Sequence, residues 1–215
     1  MQLIMADNQP IAARWGEDAI WITDLITPKN PSVQLAYREL TKGITSQEAR
    51  INALWYYVSH MPYKEAIATS FSAGGKTFKQ KDTWLFPAET MIVRVSNCAN
   101  RSFLLASLLK NEFEALGQVY CSIGQITLDG IGNHAWISLD IPGGPYIIET
   151  TQPNLDRAVI SMNKATAYSP YLHFDESYVW TSIPNLNPRD FLENRFGVCA
   201  VPFLKDYLCQ HCLEL

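Results

Sequence analysis

Charge is scarce in this sequence. Of 215 residues, 18% are Asp, Glu, Lys or Arg, against about 25% in an average soluble domain. Seventeen basic residues face twenty-one acidic ones, for a net charge of −4. A nucleic-acid partner would want a basic face, which this balance does not provide. No run of like charges suggests an interaction tail. No stretch reaches the roughly 18 apolar residues that a membrane helix requires. The start, Met1 to Asp7, carries no basic residue before Arg14 and no sustained apolar run, so a secretory signal is not expected. Cysteine is also sparse: Cys98, Cys121, Cys199, Cys209 and Cys212 make an odd set of five. A disulfide framework is therefore not expected, and reduced thiols in a cytoplasm are the default. Internal repeats and low-complexity tracts are absent. What the chain has in quantity is apolar and aromatic residues, 47% and 12%. That composition excludes disorder and suits one domain over residues 1–215.

Along the chain, the first thirty residues read as irregular, with a strand-like patch at Ala19 to Leu25. Pro31 and Gly43 bracket a short helix, Ser32 to Lys42. Thr45-Ser46-Gln47-Glu48 reads as a capped helix start, and Pro62 ends that helix. Residues 69–82 are small, glycine-containing and lysine-rich, and read as an exposed loop. Gly74-Gly75-Lys76-Thr77 falls short of a phosphate-binding loop, because Ser70 stands where the pattern needs glycine. Asp82 to Met91 reads as a proline-interrupted lead-in. Asn97 or Ser96 can cap a helix from Cys98 to about Leu116, with Leu104, Leu105, Leu108, Leu109 and Phe113 as its buried stripe. Strands follow at Gln118 to Leu128, His134 to Ile141 and Tyr146 to Thr151. Pro188 and Gly197 bracket a further helix, and Leu204 to Leu215 has helical spacing. A buried helix on an antiparallel sheet makes the chain α+β.

Three positions carry the chemistry. Cys98 opens the central helix, where free N–H groups and the positive dipole end favour a thiolate and can receive an oxyanion. Strand alternation places Ala135, Ile137, Leu139 and Ile141 on one face, and His134, Trp136, Ser138 and Asp140 on the other. His134 thus points away from the apolar core, toward a cleft shielded by Trp136. Glu149 stands among Ile147, Ile148, Thr150 and Thr151. A carboxylate in such surroundings needs a partner, and an imidazole is a suitable one. Nucleophile, base and orienter are then Cys98, His134 and Glu149. A hairpin centred on Gly143-Gly144 sets His134 opposite Pro153, so a bulge or asymmetric turn has to bring Glu149 back to it.

The runs Asp82-Thr83-Trp84-Leu85-Phe86-Pro87-Ala88-Glu89-Thr90 and Asn97 to Leu109, with Asn133-His134-Ala135-Trp136-Ile137 and Ile148-Glu149-Thr150-Thr151, resemble the transglutaminase-like superfamily. The resemblance covers about residues 45–153 and leaves both flanks unmatched. It implies a papain-like fold, with the cysteine opening a helix and His and acid on adjacent strands. The family usually has Asp where Glu149 stands, and often Gly-Asp or Gly-Val where this chain has Ser96-Asn97. An upstream Trp or similar donor often completes the family's oxyanion hole. Trp84, with Gln80 behind it, is the candidate beside the Cys98 N–H.

These readings point to a cysteine hydrolase or acyl transferase that acts on amide bonds of a peptide or protein through a thioester on Cys98. No cofactor or metal enters that chemistry, no nucleic-acid or membrane partner is expected, and the oligomeric state is left open. One alternative is a non-catalytic binding module that keeps the fold. Another is a metal-organised tail using Cys199, Cys209, His211 and Cys212, which has one close pair where zinc sites usually bring two. Tyr168, Tyr171, Phe174, Tyr178 and Trp180 are candidates to line a groove, though packing is the commoner fate of such residues. His60 and His173 show no partner pattern.

Overall fold

The structure is a computed structural model that describes residues 3–11, 20–67, 69–73, 76–80, 83–113, 118–127 and 132–196. In chain order it contains β1 (Ile4–Ala6), β2 (Pro10–Ile11), β3 (Ile20–Trp21), α1 (Pro31–Thr41), α2 (Gln47–Ser59), β4 (Thr69–Ala73), β5 (Lys76–Gln80), α3 (Pro87–Val93) and α4 (Cys98–Glu112). Then come β6 (Gln118–Ile126), β7 (Gly132–Ile141), β8 (Gly144–Ile148), α5 (Leu155–Ala158), β9 (Val159–Ser161), β10 (Tyr168–Phe174), β11 (Val179–Thr181) and α6 (Pro188–Phe196). Seven strands form one antiparallel sheet in the order β1-β11-β10-β6-β7-β8-β9. Two small two-stranded sheets, β2-β3 and β4-β5, stand apart from it. Residues 69–82 are thus not wholly loop, because their two halves pair as a hairpin from Thr69↔Gln80 to Ala73↔Lys76. The lead-in before Cys98 holds a helix too, with Pro87 at its first position, where its missing N–H costs nothing.

Local chemistry explains the helix starts. The Asn30 side chain accepts from Ser32 N ahead of α1, Ser46 from Ala49 N ahead of α2, and Asn97 from Asn100 N ahead of α4. Each cap satisfies one of the donors a helix leaves unpaired at its start. α4 ends at Glu112, short of Leu116; residues 114–117 lie outside the described residues, as does the expected helix from Leu204.

α4 organises the fold. It packs on β6 and β7 on one side and on α1, α2 and α3 on the others. Every residue from Ala99 to Leu109 is buried, so there is a core all round and not a stripe. The polar members of that run each tie down a neighbouring segment. Asn100 accepts from Leu85 N (2.8 Å) and donates to Thr83 O (3.3 Å), and Ser107 accepts from Thr27 N (2.9 Å). Such bonds meet the requirement that buried polar groups be paired, and they align the segments flanking the helix.

The β7-β8 hairpin sets the register of the site. Ile141 pairs with Gly144, leaving Pro142 and Gly143 as the two central residues of the turn. Proline fixes the φ of the first central position, and Gly143 at φ +109 supplies the positive φ of the second. The turn therefore sits one residue earlier than Gly143-Gly144, and the register moves by two. Ile137 pairs with Ile148, so one step further Glu149 lies across from Trp136. It is then a diagonal neighbour of His134 on the same face, and no bulge is needed.

Candidate active site

Cys98 is the first residue of α4 and is partly exposed. His134 on β7 is buried to 7% exposure, and Glu149, just past the end of β8, to 2%. The chain folds these positions together because β7 lies directly against α4 and β8 pairs with β7. His134 Nε2 is 2.8 Å from Glu149 Oε2. The side chain of Cys98 also acts on this imidazole and favours its protonated form. With Nε2 committed to the carboxylate, Nδ1 is the ring nitrogen left for the thiol.

Glu149 is held from every direction. Thr151 donates to Oε1 from both its backbone N (2.9 Å) and its hydroxyl (2.7 Å), and Tyr168 donates to Oε2 (3.1 Å). Its backbone is fixed as well: the N donates to Ala158 O (2.7 Å), and the carbonyl accepts from Trp55 Nε1 (2.9 Å). All four groups on the carboxylate are donors, which suits an ionised acid and fixes the Nε2–H tautomer of a neutral His134. Trp136 lies beside the imidazole, with centroids 6.2 Å apart and planes 25° apart, and Tyr168 stands edge-on to Trp136 at 5.2 Å. These rings keep water from the pair.

The electrostatics follow from that enclosure. Burial alone disfavours the imidazolium of His134. The hydrogen bonds and charges of Cys98 and Glu149 outweigh it and push His134 from 6.5 up to about 10. Burial likewise works against the Glu149 carboxylate, but His134 and the Thr151 donors hold it below its ordinary value. Tyr63, half exposed in the segment after α2, is pushed up to about 12, first by burial and then by the charge of Cys98.

Cys98, His134 and Glu149 are thus brought together. Trp84 is fully buried, with its ring edge-on to Phe103 at 5.2 Å, in the main core against which Cys98 also packs. Of the aromatic residues after 165, Tyr168 belongs to the site through Glu149. Phe174 is core, Tyr171 donates to Gln125 (2.6 Å), and Trp180 packs on Tyr120 and Tyr178. Thr151 and Trp55 were not legible in the sequence as partners of Glu149. The one local signal was the Glu149-Thr150-Thr151 run, since a hydroxyl two residues on can cap a carboxylate. Among the described residues no group of three or more His, Cys, Asp or Glu is placed to hold a metal ion. Cys199, Cys209, His211 and Cys212 lie outside the described residues. No helix among the described residues is long and apolar enough to cross a membrane.

An antiparallel sheet with the cysteine-bearing helix laid on it, and His and acid on neighbouring positions, makes the chain α+β, as expected. Among solved structures the chain is similar to Legionella pneumophila LapG. Its EGTA-treated form aligns with a TM-score of 0.51 and 13% identity, over 82% of this chain and 93% of that one. A second LapG structure gives 0.49 and 13%, over 75% and 86%. A Cytophaga hutchinsonii protein provisionally described as a cysteine protease gives 0.40 and 15%, over 73% and 52%. At these identities the likeness is one of fold. No protein-family model matches the sequence, and no curated protein matches it.

Proposed function

We propose that the chain is a cysteine-dependent hydrolase or acyl transferase acting on amide bonds of a peptide or protein. The observation that carries this reading is a single buried imidazole hydrogen-bonded to a buried carboxylate and influenced by a helix-opening thiol. In this reading His134 Nδ1 takes the proton of Cys98, and Glu149 steadies the resulting imidazolium. The sulfur attacks the amide carbonyl carbon. The tetrahedral oxyanion is received by N–H groups at the start of α4, the backbone N–H of Cys98 among them. When the C–N bond breaks, His134 returns its proton to the departing amine and a thioester remains on Cys98. Water or a second amine, deprotonated by the same imidazole, then attacks the thioester and frees the sulfur. Peptidase, deamidase and cross-linking activities share this intermediate.

The experiment is the pH dependence of alkylation at Cys98, followed by mass spectrometry of the Cys98 peptide, in wild type and in His134→Ala. Reactivity is expected to persist well below pH 8 in wild type and to fall on substitution. A profile like that of free cysteine, unchanged by His134→Ala, overturns the reading.

A further inference from the structure

Arg101 lies on α4 three residues after Cys98 and is buried to 3% exposure. Three and four residues apart on a helix is the spacing of side-chain neighbours. Its guanidinium donates from Nε to Ser96 Oγ (3.1 Å), from Nη1 to Thr150 O (3.0 Å) and from Nη2 to Met61 O. The Tyr63 ring covers it, 5.1 Å from Cζ to the ring centroid. Among the described residues it forms no ion pair, although arginine is almost never fully buried unless paired.

The acceptors come from three parts of the chain that meet at the site. Ser96 stands two residues before the nucleophile. Met61 belongs to the turn whose neighbours Pro62 and Lys64 bond to both sides of Ser96, through Ser96 N→Pro62 O (3.1 Å) and Lys64 N→Ser96 O (3.0 Å). Thr150 follows Glu149, and its hydroxyl meets Ser102 at 3.4 Å. One planar fork therefore spans the start of α4, the end of α2 and the acid-bearing segment. Cys98 and Glu149 both act on it electrostatically.

The charge count supplies the second argument. Cys98, His134 and Glu149 sum to one negative charge, whether the proton rests on sulfur or on the imidazole. In an enclosed site that excess is costly, and one buried cation cancels it. We propose that Arg101 is a positioning residue of the Cys98 centre: its guanidinium locks the nucleophile helix to the Met61 and Thr150 segments and neutralises the negative charge of the triad. This rests on the reading of Cys98 as nucleophile. The other titratable groups around the sulfur are His134 on β7, Glu149 after β8, Tyr63 after α2 and Cys121 on β6.

The test is the site-resolved alkylation profile of Cys98 in Arg101→Met and Arg101→Lys, with thermal unfolding recorded for each. In Arg101→Met the acid limb is expected to move up by roughly one pH unit, the scale of one charge acting across about 12 Å at an effective dielectric constant of about 20. Arg101→Lys loses the fork but keeps the charge, so its melting temperature falls while its limb stays near wild type. Where Arg101→Met does not fold, Arg101→Gln, which can still donate to one carbonyl, serves as the neutral variant. A folded neutral variant whose limb coincides with wild type overturns the proposal. So does an Arg101→Lys limb displaced as far as the neutral one. Failure of the nucleophile reading shows separately, as an insensitivity of the wild-type profile to His134→Ala.

Discussion

Replacing Glu149 with Gln tests the His134 environment most directly, because it changes one oxygen for one NH2 at nearly constant shape. Four donors converge on that carboxylate, two from Thr151 and one each from His134 and Tyr168. An amide has one oxygen, so either orientation turns an NH2 toward a donor. Each buried donor left unpaired costs about 1–3 kcal/mol, and a fall in stability of about 2–5 kcal/mol is expected. The effect on His134 is separate and larger in consequence. Its rise from 6.5 to about 10 corresponds to about 5 kcal/mol of imidazolium stabilisation. If Glu149 supplies half, its loss lowers the imidazolium-to-imidazole ratio by roughly 50-fold, and burial then acts with less opposition. Imidazole titration by NMR measures this, with His134 resonances assigned from His134→Ala. Wild-type His134 is expected to remain protonated above pH 8, and in Glu149→Gln to titrate about two pH units lower. A wild-type His134 that titrates near 6.5, or one indifferent to Glu149→Gln, refutes the reasoning.

His173 works in the opposite sense. Buried on β10, it meets Ser122 at 2.8 Å through Nδ1, while its Nε2 has no hydrogen-bond partner among the described residues, and burial pushes it down to about 4. Its folded value lies below its unfolded one, so its contribution to stability is present above pH 6.5 and is lost as pH falls toward 4. Denaturant unfolding should show about 3 kcal/mol less stability at the acid end from this group, and His173→Asn should flatten that slope. Gly124 faces the bulge in β10, where an added Cβ would lie 2.1 Å from Ser169 O. Gly124→Ala should therefore lower the melting temperature sharply, and an unchanged value would show that the strands can separate. Trp84→Ala should cost about 3–5 kcal/mol by cavity formation while leaving the pH profile of Cys98 alkylation in place. A shifted profile with intact stability would place Trp84 in the site.

Much of this arrangement was legible in the sequence because it is written in local chemistry. Asn97 before Cys98 is a cap and appears as one. Alternation marks the strand from His134 to Ile141, but His134 to Leu139 are buried on both faces because Trp136 packs a second cluster with Ile147 and Tyr168. Position along the hairpin was less legible. Two adjacent glycines after Pro142 permit two turn placements; both take a positive φ, and only the pairing of Ile141 with Gly144 decides between them. Residues 69–82 misled because lysine, serine and glycine suggest a solvated loop, whereas a hairpin needs only backbone pairing and tolerates such side chains on an edge. The burial of Arg101 was illegible for another reason. Its partners are backbone carbonyls of Met61 and Thr150 and the hydroxyl of Ser96, and a carbonyl carries no residue identity.

The indole of Trp55 holds the carbonyl of Glu149 across 94 residues of chain. That span ties thiol reactivity to the completion of folding, because α4 can form early from local contacts while the carboxylate reaches its seat only after distant segments have closed. During refolding, rapid labelling of Cys98 should consequently lag behind helix formation and rise with the final long-range step. A fast-reacting Cys98 would then mark a fully assembled molecule, and newly made or partly unfolded chains would react only as a free cysteine does.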